Sequence, residues 1–325
     1  MDDYLYPAMR AADPGAREPL YRLATQPPGD LARHLTRGLA LLAALLLGAG
    51  LIFWIAANWQ EQTRFFRLAL IESALVVCVL AALLWPRART AALLAASLAL
   101  GGLLAFVGQT YQTGADAWQL FASWAALSLL WTLAQRSDLL WTLWVLVAGL
   151  ALLFWQGVDM SMWLERGQPA NNAVSMLAWA LLALVPCAIA SLRWTRLPRG
   201  LGRWSWRTSA ALALFIWTVF GLRALLFDGW IFWLSVALIL ALGWLTWRSC
   251  WRDLVCLGMA ALALNVQIGF GLAKLLLGNH FGVDSLTMLT LLTLLMLGGT
   301  ATGLMHVQRQ WARDAQAPQA RGDGV

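Results

Sequence analysis

Charge is what this sequence has least of. Only 12% of its 325 residues are Asp, Glu, Lys or Arg, against 61% hydrophobic, where a soluble domain carries roughly 25% charged residues. Such a chain has too little polar surface to face water on all sides, which excludes a soluble globular fold. Cysteine is equally sparse. Cys78, Cys187, Cys250 and Cys256 lie in or beside apolar runs with no Cys-x-x-Cys pair, which argues against a disulfide framework and structural zinc. The three histidines, His34, His280 and His306, fall on different sides of the expected membrane and cannot converge on one metal. No HExxH, GxSxG, P-loop or kinase motif is present. Gly269-Phe-Gly271 lies inside an apolar run with no strand before it, so it is not a nucleotide fingerprint. No catalytic residue, cofactor or metal is expected, and the reading leans away from an enzyme. No secretory signal is expected, because the first 37 residues are polar and interrupted by proline, and the first span is expected to direct insertion itself.

What the chain has in abundance is apolar runs of membrane length. They occur at roughly 38–57, 67–85, 91–107, 117–134, 139–157, 173–192, 208–227, 230–247, 254–277 and 283–305. A crossing takes roughly 20 apolar residues, and in lipid the backbone must satisfy its own hydrogen bonds, so each run is expected to be a helix. The fold class is therefore an all-α, polytopic transmembrane bundle of about ten spans. The third run, which is short, and the tight joint at Asp228 and Gly229 between the seventh and eighth are its least marked features. A cytoplasmic arm (1–37), the membrane domain (38–305) and a cytoplasmic, disordered tail (306–325) complete the expected organisation.

Lys and Arg set the orientation. Arg64, Arg67, Arg166, Arg223 and Lys274 are the only five of the 23 basic residues on one side of this topology, and the other 18 fall on the opposite side. Because basic residues are retained in the cytoplasm, both termini are expected there. The 21 tryptophans agree, with Trp54, Trp118, Trp155 and Trp230 among those at outer ends and Trp85, Trp204, Trp206, Trp247 and Trp311 among those at inner ends, where interfacial belts belong. The net charge of +7 is accounted for by this asymmetry. The basic residues form no stripe interleaved with aromatics, so no nucleic-acid partner is expected. The expected partners are the bilayer and, at the arm or the Arg193–Arg207 loop, anionic lipid or another protein.

Polar residues that could carry chemistry concentrate toward the outer side. Asn58, Gln60, Gln109, Tyr111 and Asp116 stand at outer ends, and Glu72 sits in the second span, about 8 Å into hydrocarbon at roughly 1.5 Å per residue. An ionised carboxylate there costs about 2.5–3.5 kcal/mol, so Glu72 should face a partner or water. It reads either as an ion site at the floor of an outward vestibule, with Arg67 or Lys274 as counter-ion, or as a structural pair. The Gln109–Asp116 segment, with Gly108 and Gly114 beside it, reads either as the lip of a binding site or as a solvated loop. Asn265, Gln267 and Lys274 share the ninth span and suggest a polar path, against which stand interhelical bonding for Asn265 and snorkelling for Lys274. Gly299-Thr-Ala-Thr-Gly303 offers a small face for helix packing.

The run Gly50-Leu-Ile-Phe-Trp-Ile-Ala-Ala-Asn-Trp-Gln60, with Arg64 and then Gly108-Gln-Thr-Tyr-Gln-Thr-Gly-Ala-Asp116, resembles the predicted bacterial membrane proteins grouped as domain of unknown function 2157, over roughly residues 30–160. The resemblance implies a multi-pass protein of the bacterial inner membrane and supplies no activity. Function is thus open among three classes: a small-solute or ion transporter or channel with an outward-facing polar vestibule, a membrane scaffold, sensor or assembly protein, and a lipid-linked transferase using Glu72 or Asp116. Transport is the leading expectation.

Overall fold

The computed structural model describes residues 31–316 apart from 58–62, 112–113, 115, 136, 158–168, 192–201, 228, 249–251 and 278–282. Among the described residues there are ten α-helices and no strand. In chain order they are α1 (Leu31–Ala57), α2 (Arg64–Leu84), α3 (Arg89–Tyr111), α4 (Ala117–Ala134), α5 (Asp138–Trp155), α6 (Pro169–Ser191), α7 (Arg203–Phe227), α8 (Gly229–Trp247), α9 (Leu254–Leu277) and α10 (Val283–Gln316). Each apolar run of the sequence falls within or close to one helix. Eight of the helices, α2 to α5 and α7 to α10, are long and apolar enough to cross a membrane, while α1 and α6 carry shorter described apolar stretches, Gly38–Gly50 and Asn172–Leu184.

The chain divides into two compact units, Met1–Leu103 and Leu104–Val325, with the boundary inside α3. In the first, α1 comes close to α3 at Gly48, where a Cβ would lie 3.0 Å from a Leu98 methyl. At the joint between α2 and α3, the Arg89 Nε–H donates to the Ala82 carbonyl at 3.0 Å.

The second unit is arranged around α7, which packs against α5, α6, α8 and α9. Its sequence explains the central position. Trp206, Ala210, Ala213, Trp217, Phe220 and Ala224 recur at helical spacing and are all buried, while small residues elsewhere on the helix let neighbours approach on several sides. Trp206, expected in the inner tryptophan belt, belongs to this core instead. Helix α10 differs in character. It packs on α9, none of its apolar window is buried, and its 34 residues span roughly 50 Å at 1.5 Å each. That exceeds the roughly 30 Å of hydrocarbon. The helix continues past residue 305 to Gln316 because the exposed Arg309, Arg313 and Asp314 are compatible with helix in water.

Both ends of α7 are held by side chains of other helices. At its N-terminus the amides of Gly202, Trp204 and Ser205 donate to the Asp138 carboxylate at 2.9–3.0 Å. These are donors that a helix start leaves without intrahelical partners, and the carboxylate also opposes the positive end of the helix dipole. A Cβ at position 202 would lie 2.5 Å from Asp138, so glycine is required there. At the other end the Lys274 ammonium donates to the carbonyl of Leu225 in the last turn, placing a cation at the negative end of the dipole. A third anchor is Asp253, which caps α9 through the Val255 and Cys256 amides. It also accepts from Arg207 of α7 through both oxygens at 2.9 and 3.2 Å.

Candidate functional site

The C-terminal end of α3 and the N-terminal end of α4 enclose a cleft of about 690 Å³, lined among the described residues by side chains between Leu104 and Ser123. The chain turns between the two helices at Gly114, whose φ of +65° is open to glycine at no steric cost. The turn delivers Asp116 to the N-cap position of α4, yet its side chain makes no capping bond. The carboxylate instead accepts the Trp118 indole N–H through Oδ2 at 3.3 Å, leaving Oδ1 without a partner among the described residues. Gln109 from α3 and Gln119 and Ser123 from α4 add two amides and a hydroxyl, while Leu104, Val107 and Leu120 supply the apolar walls. Gln119 and Ser123 are one helical turn apart, so they share a face of α4.

Among the described residues the cleft lining carries one carboxylate and no cationic side chain. Its chemistry therefore favours a ligand head that is cationic or rich in hydroxyl donors, with an apolar part against the leucines. An anionic ligand would meet Asp116 uncompensated. Nearby, Phe121 of α4 stacks on Phe154 of α5 at 5.2 Å, which brings the α5 C-terminus to the same end of the unit. There Gln156 has both polar atoms of its carboxamide buried and unpartnered among the described residues.

The residues proposed from sequence do not all converge. Gln109 and Asp116 meet in the cleft. Tyr111 is exposed and does not line it. Asn58 and Gln60, with Glu61 and Gln112, lie outside the described residues. Glu72 is exposed on α2 and makes no hydrogen bond or ion pair with any described residue, and Arg67 is buried on the same helix. Lys274 serves the end of α7. Asn265 Nδ2 donates to Thr300 Oγ1 of α10 at 2.8 Å, the interhelical reading of that residue. Gln267 is fully buried and turns to the opposite side. Its Nε2 donates to Ser235 Oγ of α8 at 2.5 Å and lies 3.4 Å from the Trp217 carbonyl of α7, to which the Ser235 hydroxyl donates at 2.6 Å. Gly221 makes room for this cluster, since a Cβ there would sit 2.6 Å from Ser235 Oγ.

Sequence reasoning missed Ser123, Asp138, Ser235 and Asp253. The i, i+4 spacing of Gln119 and Ser123 after Asp116 was a usable signal for the first. Nothing in the spacing of Asp138 or Ser235 announces which helix each meets. Among the described residues no group of His, Cys, Asp and Glu side chains could hold a metal ion.

No curated protein and no solved structure matches the chain. The cleft falls wholly within residues 13–141, and these residues match a family of predicted membrane proteins, domain of unknown function 2157.

Proposed function

We propose that this protein is a multi-pass inner-membrane binding protein that takes up a small amphiphile with a cationic or hydroxyl-rich head in the cleft between α3 and α4. The observation that carries the reading is Asp116 Oδ1, without a partner among the described residues, at the mouth of a cleft whose described lining has apolar walls and no cation. In such a site Asp116 selects the head by charge, Gln109 and Gln119 orient it, and Leu104, Val107 and Leu120 exclude water from the chain. Pockets that bind small ligands are commonly built this way, with an apolar lining and few converging polar groups.

Transport of a small solute would use the same cleft as an outer vestibule, and would need a polar route onward. The polar side chains in α9 that could form one are engaged in packing: Asn265 with Thr300, Gln267 with Ser235, and Lys274 with Leu225. That engagement favours binding, as in a sensor or assembly protein, over conduction. The test compares cationic, neutral polyhydroxylated, zwitterionic and anionic amphiphiles of one chain length for their effect on thermal unfolding of the purified protein. Cationic or polyhydroxylated heads are expected to raise Tm in the wild type, and Asp116→Asn to remove the cationic advantage. Equal effects of all heads, or an Asp116→Asn variant that responds like wild type, would contradict the reading.

A further inference from the structure

The end of the bundle opposite the cleft carries a second opening with different chemistry. A groove of about 490 Å³ runs between the C-terminal half of α8 and the N-terminal half of α9, walled by Leu240, Gly243, Trp244, Leu257, Ala261 and Leu264. It is apolar along its length, and Gly243 keeps it open on the α8 side, where a Cβ would meet only Ala260 at 3.8 Å. Its wall from Ile239 to Trp247 is about 12 Å long at roughly 1.5 Å per residue, a stretch suited to the upper part of an acyl chain.

The mouth of the groove is aromatic and cationic. The Arg248 guanidinium lies 3.8 Å above the ring centroid of Trp244, which itself lines the groove. Trp247 meets Trp311 of α10 edge-on, and Arg252 lies 5.5 Å from the Trp311 ring while pairing with Asp314 at 2.9 Å. The nearest acids on the elements packed here are therefore spoken for, Asp314 by Arg252 and Asp253 by Arg207. Arg248 is exposed and its guanidinium makes no hydrogen bond or ion pair with any described residue. Stacking on the indole fixes the plane of the guanidinium and leaves its N–H edge open, the arrangement that suits a phosphate.

We propose that this groove holds one anionic phospholipid, its phosphate on Arg248 and its acyl chain against Leu240, Leu257 and Leu264. Charge complementarity chooses the occupant: an apolar groove alone would accept any lipid or helix, whereas a fixed, unneutralised guanidinium at its mouth discriminates in favour of an anionic head. A wholly apolar helix is disfavoured there because it would bury Arg248 without a counter-charge. This site is separate from the cleft of α3 and α4 and has the opposite charge preference.

The test uses the full chain reconstituted in phosphatidylcholine vesicles with a trace of phosphatidylglycerol carrying a photoreactive group on its acyl chain. After irradiation, adducts are mapped by peptide mass. The expected result is labelling concentrated within 239–264, competed by unlabelled phosphatidylglycerol and not by added phosphatidylcholine or inorganic phosphate. Arg248→Gln should lower that labelling about tenfold, the size expected for losing a hydrogen bond to a charged group. Arg309→Gln, on α10, should leave it unchanged. Labelling that phosphatidylcholine competes equally well, that free phosphate abolishes, that maps elsewhere, or that survives Arg248→Gln would overturn the proposal.

Discussion

Asp138 and Lys274 secure opposite ends of a helix to which neither belongs. Asp138, in the first turn of α5, gathers three amides at the start of α7, and Lys274, in the last turn of α9, bonds a carbonyl at its end. Each satisfies backbone groups that the helix cannot satisfy itself, and each has the sign that the dipole favours. Replacing Asp138 with alanine should therefore destabilise the protein by about 1 kcal/mol, the usual cost of a lost cap, and Asp138→Asn, which keeps an acceptor, by less. Lys274→Met should cost about 0.3–1 kcal/mol. Unfolding in detergent, followed by tryptophan fluorescence, would order the three variants, and a wild-type Tm for Asp138→Ala would contradict the assignment. Neither role was legible in sequence. A carboxylate at a helix start reads as serving its own helix, and a lysine near the outer edge reads as snorkelling or as a counter-ion.

At the scale of the element, α9 shows what a sequence conveys and what it withholds. The apolar run at 254–277 coincides with the helix Leu254–Leu277, because a run of that length in lipid has one economical backbone form. The expected polar path along it does not form, for a geometric reason. At 3.6 residues per turn, Gln267 and Lys274 fall on one face while Asn265 falls on the other. The first two accordingly reach α7, and the third reaches α10. Spacing was visible in the sequence, and the identity of each neighbour was not. Gly221 gives the sharpest consequence. Gly221→Ala would press a methyl into the Gln267–Ser235 pair and should cost about 1–3 kcal/mol, as overpacking does. Gly243→Ala, whose added carbon meets only ordinary contact, should leave stability unchanged or raise it. Equal behaviour of the two variants in thermal unfolding would refute the close-approach argument.

For the whole molecule, the all-helical membrane architecture was legible because composition and run length constrain it strongly. Part of the candidate site was legible as well: Gln109, directly after Gly108, and Asp116, two residues after Gly114, stand out as polar residues at a helix junction. The cleft walls were not, since Leu104 and Leu120 look like any other apolar residue in a span. The polar groups of the second unit then separate into two kinds. Gln267, Ser235 and the Trp217 carbonyl of α9, α8 and α7 bond one another within the packed core, while the polar groups of the α3–α4 cleft face open volume. A binding protein needs only the second kind, whereas a conduit needs water among the first.

The decisive measurement is the reactivity of single cysteines, in a variant otherwise free of cysteine, toward a membrane-impermeant thiol reagent applied to each face of the membrane. Ser123→Cys, in the cleft, is expected to react from the outer face only, and Ser235→Cys, in the packed core, from neither. Silence at position 123 would remove the cleft as a ligand site. Reaction at position 235 would contradict the packed-core account and establish an aqueous route through the bundle.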